Sequence, residues 1–245
     1  MRPFVLIATR AEDDAADTEY ETFCRLTGLA PEQLLRIRLE REPLPELDLE
    51  QLSGIILGGS PYNASDPASS KSAAQLRAEA ELAGLMDRVI AEDLPLFGAC
   101  YGVGALGTHQ GAIIDRTYGE QAGAITVRLT EEGKADPLIR EAGLPDEFLA
   151  LVGHKEAVRE LPPHAVHLGR GEACPVQMFR IGTRQYATQF HPELDSEGLV
   201  VRAGIYREHG YFEPAEFEEL AARVRSVKAD ESAALLSAFV RLYAR

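Results

Sequence analysis

The sequence predicts an α/β chain built on an open, mainly parallel sheet with helices on both faces. Three observations point there. Short continuous apolar runs alternate with helix-spaced segments through the first hundred residues, in the order β-α-β-β-α-β. One run, "LPLFGA" at 94–99, feeds a glycine-flanked turn and then a helix-compatible stretch. The second half is richer in short strands, several of them alternating, which read as antiparallel additions to the same core.

Taken in order, "PFVLIAT" (3–9) is a buried strand followed at once by polar residues, and "TEYETFCRLTG" (18–28) has helical spacing and a glycine stop. "LLRIRLE" (34–40) alternates as a half-buried strand does, and "SGIILGGSP" (53–61) is a short buried strand ending in Gly-Gly. Residues 60–72, rich in Ser, Asn, Asp and Pro, form the one long loop. A helix is expected from Ala73 to about Glu92, before the 94–99 strand. The later strands are "GAIIDR", "AITVRLT", "FLALVGH", "HAVHLGR", "CPVQMFRIG" and "RQYATQF"; helices follow over about 196–209, 214–227 and 230–243. No repeat, low-complexity tract or linker interrupts the chain. The expectation is one domain over 1–245, with the helices of about 213–245 as a packed cap or a docking extension.

The 39 acidic residues against 25 basic ones give a formal charge of −14, with the basic residues scattered. Such a surface repels nucleic acid and anionic membranes, so neither is an expected partner. Three cysteines without a CxxC pair suit a reducing compartment. The apolar run near the N-terminus is too short for a signal-peptide core, and nothing approaches the roughly 20 apolar residues of a membrane span. A cytoplasmic location is the expectation.

Gly98-Ala99-Cys100-Tyr101-Gly102 is the thiol analogue of the G-x-S-x-G nucleophile elbow. A sharp strand-to-helix turn holds the nucleophile in a strained conformation beside a helix N-terminus, where the dipole favours a thiolate and free N–H groups can receive an oxyanion. The alternative is a small core cysteine beside a turn. With 21 glycines in 245 residues, chance supplies roughly 0.02 such flanked cysteines among three, so the pattern favours the nucleophile.

A thiol attacking an amide needs a base held by a third group. Among six histidines, His191 stands at the end of an alternating strand, Pro192 biases it towards extended backbone, and Glu193 follows two residues later. A carboxylate at that spacing can accept the imidazole N–H and fix the tautomer. His109 falls on the elbow helix, His164 and His167 flank "AV" in a strand with no third ligand candidate nearby, and His209 falls on a late helix. These four read as structural or solvated, and no metal or cofactor is expected.

Together these residues resemble the class I, triad-type glutamine amidotransferases, and are similar to the glutaminase domain of GMP synthetase. "GGSP" at 58–61 looks like the family's oxyanion loop, "GACYG" its cysteine elbow, and "QFHPE" at 189–193 its His-x-Glu signature, all in family order. "GHKEAV" at 153–158 is similar to a segment of the GMP-synthetase type. The resemblance covers residues 1 to about 205. It implies a flavodoxin-like three-layer sandwich and hydrolysis of glutamine through a Cys100 γ-glutamyl thioester, with His191 as acid and base and Glu193 holding its ring. The backbone N–H groups of Gly59 and Tyr101 would form the oxyanion hole. Gly58, Gly104, His154, Lys155 and Glu156 would border the substrate, Glu156 facing its ammonium, although an exposed charged turn explains "HKE" equally well. The family usually delivers ammonia to an acceptor synthetase, and this chain carries no phosphate-binding G-x-x-x-x-G-K-[ST] loop.

Two departures stand out: Ser60 replaces the family's Pro, and Gly104 replaces a Gln that helps bind glutamine. The second motivates an alternative, a stand-alone hydrolase of another γ-glutamyl compound. A binding or regulatory protein on a retained fold has no need of an intact Cys, His and Glu set. The late "QFHPE" disfavours the intracellular-protease clan that shares a cysteine elbow.

Overall fold

The computed structural model describes residues 1–245. Its elements are β1 (Phe4–Ala8), α1 (Asp13–Thr27), β2 (Leu34–Arg38), β3 (Gly54–Leu57), α2 (Ala73–Ala91), β4 (Leu96–Ala99) and α3 (Tyr101–His109). There follow β5 (Ile113–Asp115), β6 (Glu120–Leu129), α4 (Glu131–Ala135), α5 (Pro137–Ala142), β7 (Glu147–His154), β8 (Ala157–Glu160) and β9 (Val166–Arg170). The chain closes with β10 (Met178–Ile181), β11 (Gln185–Thr188), α6 (Ser196–Ile205), α7 (Phe217–Arg225) and α8 (Ala234–Tyr243).

Nine strands form one sheet in the order β2-β1-β3-β4-β11-β10-β9-β6-β7. The first five are mutually parallel and the rest antiparallel. β1, β3, β4 and β11 are buried along their whole length, as parallel strands covered on both faces must be. Successive side chains point to opposite faces. Phe4 and Leu6 therefore join Phe23, Phe97, Tyr186 and Phe239 in one core, while Val5 and Ile7 join Leu82, Met86, Val89 and Leu106 in the other. Helices α1, α5 and α8 contribute to the first layer and α2 and α3 to the second, so the architecture is the expected three-layer α/β sandwich. A third cluster packs α6 and α7 against Ala122 of β6 and Leu151 of β7.

Several details differ from the sequence expectation. α1 begins at Asp13, five residues early, because Asp13 and Asp14 fill its first turn, where acidic side chains suit the dipole. α4 and α5 lie in a stretch without apolar periodicity. They are set instead by local caps: Thr130 accepts from Gly133 N–H, Asp136 accepts from Leu138 N–H with Pro137 in the first turn, and Gly143 closes α5 in the left-handed region. "GAIIDR" yields β5, which pairs with β8 in a separate two-stranded sheet outside the main one. "RQYATQF" yields β11, whose parallel register on β4 sets Thr188 beside Ala99. α8 is part of the core itself: Phe239 packs on Phe4 and Phe97 with ring centroids 5.9 and 5.7 Å apart. No helix is long and apolar enough to cross a membrane.

Candidate active site

The parallel strands deliver three loops to one end of the sheet. β3 ends in Gly58-Gly59, β4 in the Cys100 turn, and β11 in the segment that carries His191. Ligand sites of open α/β sheets sit at this carboxyl edge.

Cys100 has φ 51° and ψ −85°, a conformation that L side chains rarely adopt and that costs about 1–3 kcal/mol. The turn is held by the Cys100 N–H donating to the Thr188 carbonyl at 2.7 Å. It is tight enough that a Cβ on Gly98 would lie 2.7 Å from the Gly102 Cα, so glycine at 98 is a requirement of the elbow. Tyr101 is the first residue of α3, where helices leave N–H groups without intrahelical acceptors.

The His191 N–H donates to the Leu151 carbonyl at 2.8 Å, fixing the segment after β11 against β7. The His191 Nδ1 lies 2.7 Å from Glu193 Oε1, which leaves Nε2 for the cavity that His191 and Cys100 both line. Both partners are buried. Burial works against charge on His191, but Glu193 and Cys100 outweigh it and push the imidazole up to about 9. Burial likewise works against charge on Glu193, and His191 and Arg202 outweigh it, holding the carboxyl well below its usual range.

The same Glu193 Oε1 accepts a second bond, from Arg202 at 2.7 Å. Arg202 also approaches Glu19 Oε1 at 3.6 Å, and Arg10 donates to that oxygen at 2.8 Å. A buried chain of alternating charge thus runs His191–Glu193–Arg202–Glu19–Arg10. No sequence motif marks Arg10, Glu19 or Arg202 as part of the site. They lie on three separate segments, and only the fold brings them together. The chain explains the Gly-Gly pair: a Cβ at Gly58 would lie 2.7 Å from Glu19 Oε2, and one at Gly59 would lie 2.6 Å from an Arg10 guanidinium nitrogen and 2.8 Å from His191 Cε1. The loop comes this close to Glu19, Arg10 and His191 only because both positions lack side chains.

A second cavity that Cys100 also lines is bounded by Tyr62, Asn63, Gly104, Glu156, Gln189 and Tyr211. Here the "HKE" side chains have protein partners. His154 is buried, with Nε2 2.9 Å from Glu120 Oε2 and Nδ1 2.9 Å from the Glu156 carbonyl. Lys155 donates to the His209 carbonyl at 3.0 Å and sits 4.8 Å from the Tyr211 ring centre. The Glu156 carboxylate accepts the N–H groups of Ala64 and Ser65 at 2.8 and 2.7 Å, so it holds the long loop rather than standing free for an ammonium. Of the other histidines, His109 meets Asp87, His164 meets Gln110 and His167 meets the Gly169 carbonyl.

A cysteine on a strained turn, a buried His–Glu pair and free N–H groups can together carry acyl transfer to sulfur. The family model for class-I glutamine amidotransferases matches residues 33–199. A GMP synthase (glutamine-hydrolyzing) of Bacillus mycoides is 30% identical over 109 residues, 44% of this chain and 20% of that protein. A GMP synthase (glutamine-hydrolyzing) subunit from Thermoplasma volcanium is 27% identical over 148 residues, 60% of this chain and 65% of that one. The chain thus spans a fifth to just under two thirds of these relatives. Among solved structures, a glutamine amidotransferase from Thermotoga maritima superposes with a TM-score of 0.73 at 21% identity, covering 100% of both chains. A glutamine amido transferase from Methylobacillus flagellatus gives 0.72 at 17% identity, covering 100% of this chain and 96% of that one. These two likenesses establish a shared fold.

Proposed function

The chain belongs to the class-I glutamine amidotransferases, and on that premise we propose that it hydrolyses the side-chain amide of L-glutamine through a γ-glutamyl thioester on Cys100. The observation that carries this reading is the His191–Glu193 bond of 2.7 Å, buried beside a cysteine at φ 51°.

The Cys100 sulfur attacks the amide carbon, and the carbonyl oxygen becomes an oxyanion received by the Gly59 and Tyr101 N–H groups. The C–N bond then breaks as His191 gives its Nε2 proton to the departing ammonia. His191 next takes a proton from water, whose oxygen attacks the thioester, and glutamate leaves as the Cys100 sulfur is released. Glu193 keeps the imidazole in the useful tautomer and supports its charge. Gly58, Gly104 and the segment of His154, Lys155 and Glu156 form the wall of the glutamyl pocket.

We read the chain as a single catalytic domain, with α8 built into its core and α7 packed beside α6, working in a reducing compartment. Relatives whose names make them one subunit of GMP synthase support delivery of the ammonia to a separate acceptor synthetase. Gly104 supports a second reading, a stand-alone hydrolase of a different γ-glutamyl compound. A cavity beside Cys100, lined by Leu199, Ala203, Tyr206 and Tyr211 together with Arg10, Ser60 and Arg202, could take a leaving amine larger than ammonia.

A substrate panel separates the two. Released glutamate is measured from L-glutamine and from γ-glutamyl amides of larger amines. Preference for glutamine supports the amidotransferase; preference for the substituted amides replaces it with the hydrolase.

A further inference from the structure

A second group of a cysteine, a histidine and a glutamate stands apart from the elbow. Glu120 opens β6, His154 closes β7, and the two are direct cross-strand partners. Cys174 comes from the loop before β10. One ligating atom of each lies within 4.8 Å of the other two. The Glu120 and His154 side chains are 7% and 2% exposed, and Cys174 is fully buried.

Both ring nitrogens of His154 face acceptors. Nδ1 faces the Glu156 carbonyl, which only accepts, so Nδ1 carries a hydrogen. Nε2 faces Glu120 Oε2 at 2.9 Å, an oxygen that already accepts Gln177 Nε2 at 2.6 Å. An imidazole lone pair and a carboxylate oxygen stay this close only with a cation, a proton or a metal ion, between them. Nearby, the Gln177 side-chain oxygen is buried without any partner. A half-turn of its amide would set that oxygen where Nε2 now meets Glu120, among the ligating atoms.

We propose that Glu120, His154 and Cys174 form a buried site for a divalent transition metal of the zinc type, with the Gln177 amide oxygen completing the set. The donors, one thiolate, one imidazole and one carboxylate, suit zinc rather than the all-oxygen preference of magnesium or calcium. Tetrahedral zinc places such donors roughly 3.3–3.6 Å apart, so side-chain shifts on the order of 1 Å bring the ligands into place. Metal binding would release the proton that the Cys174 thiol now donates to the Val176 carbonyl at 3.4 Å; the resulting thiolate and the carboxylate then balance a divalent charge beside a neutral imidazole, which leaves the buried site without net charge. A carbonyl on Nδ1 is the outer partner that orients a ligating histidine. The site clamps β6, β7 and the 171–177 loop behind Glu156, whose carboxylate holds residues 64 and 65 beside the Cys100 cavity. It has a structural role and no part in the chemistry at Cys100.

The test is metal uptake by the full chain, read independently of glutamine hydrolysis. Protein stripped with a chelator and reloaded should retain one zinc per chain after gel filtration. Cobalt loading should give a thiolate-to-cobalt charge-transfer band. Cys100→Ser should keep both signals. Cys174→Ser should abolish the band, and it and Glu120→Gln should each weaken zinc binding at least about 10–100-fold, the loss seen when even an outer partner is removed. Wild-type protein that keeps its circular dichroism but retains no metal overturns the site. So does a band that survives Cys174→Ser or disappears with Cys100→Ser.

Discussion

Glu156 occupies the space above Gly104: a Cβ added at Gly104 would lie 2.8 Å from Glu156 Oε1 and 3.1 Å from the Ala64 Cβ. The glycine and the glutamate are therefore one arrangement. The carboxylate that caps Ala64 and Ser65 takes room that a longer residue at 104 would need. Gly104→Gln should displace Glu156 and cost about 1–3 kcal/mol through overpacking. Gly104→Gln with Glu156→Ala should recover part of that loss, so the two changes should be non-additive. Thermal melts of the four proteins of the cycle check this. Strict additivity would mean that the two positions do not compete.

The elbow carries a cost that a side chain at position 100 imposes. Cys100→Gly removes that side chain from a backbone at φ 51°. It should relieve part of the roughly 1–3 kcal/mol of strain, less the added freedom of glycine in the unfolded chain. We expect no glutaminase activity and a melting temperature raised by about 1–4 °C. A loss of stability larger than the roughly 0.4–1 kcal/mol that glycine's freedom in the unfolded chain explains would show that the turn is not strained.

Glu193→Gln separates orientation from charge. The amide oxygen can still accept from His191, so activity should fall by orders of magnitude less than in Cys100→Ala. Stability should nonetheless drop by about 3–5 kcal/mol, because Arg202 loses the carboxylate it meets at 2.7 Å while remaining buried. Kinetics and denaturant titration measure the two effects. Activity as low as that of Cys100→Ala would assign the glutamate a direct chemical step.

The same pair sets the pH response. His191 is raised from 6.5 to about 9, so its contribution to stability is complete below its unfolded value and lost as pH rises through about 9. Glu193 is depressed from 4.5, so its contribution is present above that value and lost as pH falls through its lower folded value. Stability should therefore be greatest between about pH 5 and the unfolded value of His191, and fall on both sides. If His191 protonates the departing ammonia as proposed, glutaminase activity should decline above about pH 9. In Glu193→Gln the alkaline limb should move to lower pH. An alkaline limb unchanged in that variant would uncouple His191 from Glu193.

Residues adjacent in sequence are legible, and residues adjacent only in space are not. Gly98, Cys100 and Gly102 announce the elbow because strand, turn and helix follow one another directly. His191 and Glu193 announce themselves because they stand two positions apart. The parallel half of the sheet can be read because its buried strands are continuous apolar runs. Arg10, Glu19 and Arg202 carry no such signal: each looks like an ordinary surface charge until β1, α1 and α6 converge. Lys155 and Glu156 show only their charge in the sequence, and their partners at His209, Ala64 and Ser65 depend on loops whose paths no periodicity encodes. α4 and α5 are marked only by their caps, at Thr130, Asp136 and Gly143.

Whether Cys100 is the nucleophile in glutamine hydrolysis is decided by release of glutamate and ammonia from L-glutamine by the purified chain, beside Cys100→Ala. Equal amounts of the two products are expected from the wild type, and a loss to background in the variant while its melting curve stays intact. Undiminished release by a folded Cys100→Ala protein would contradict that role.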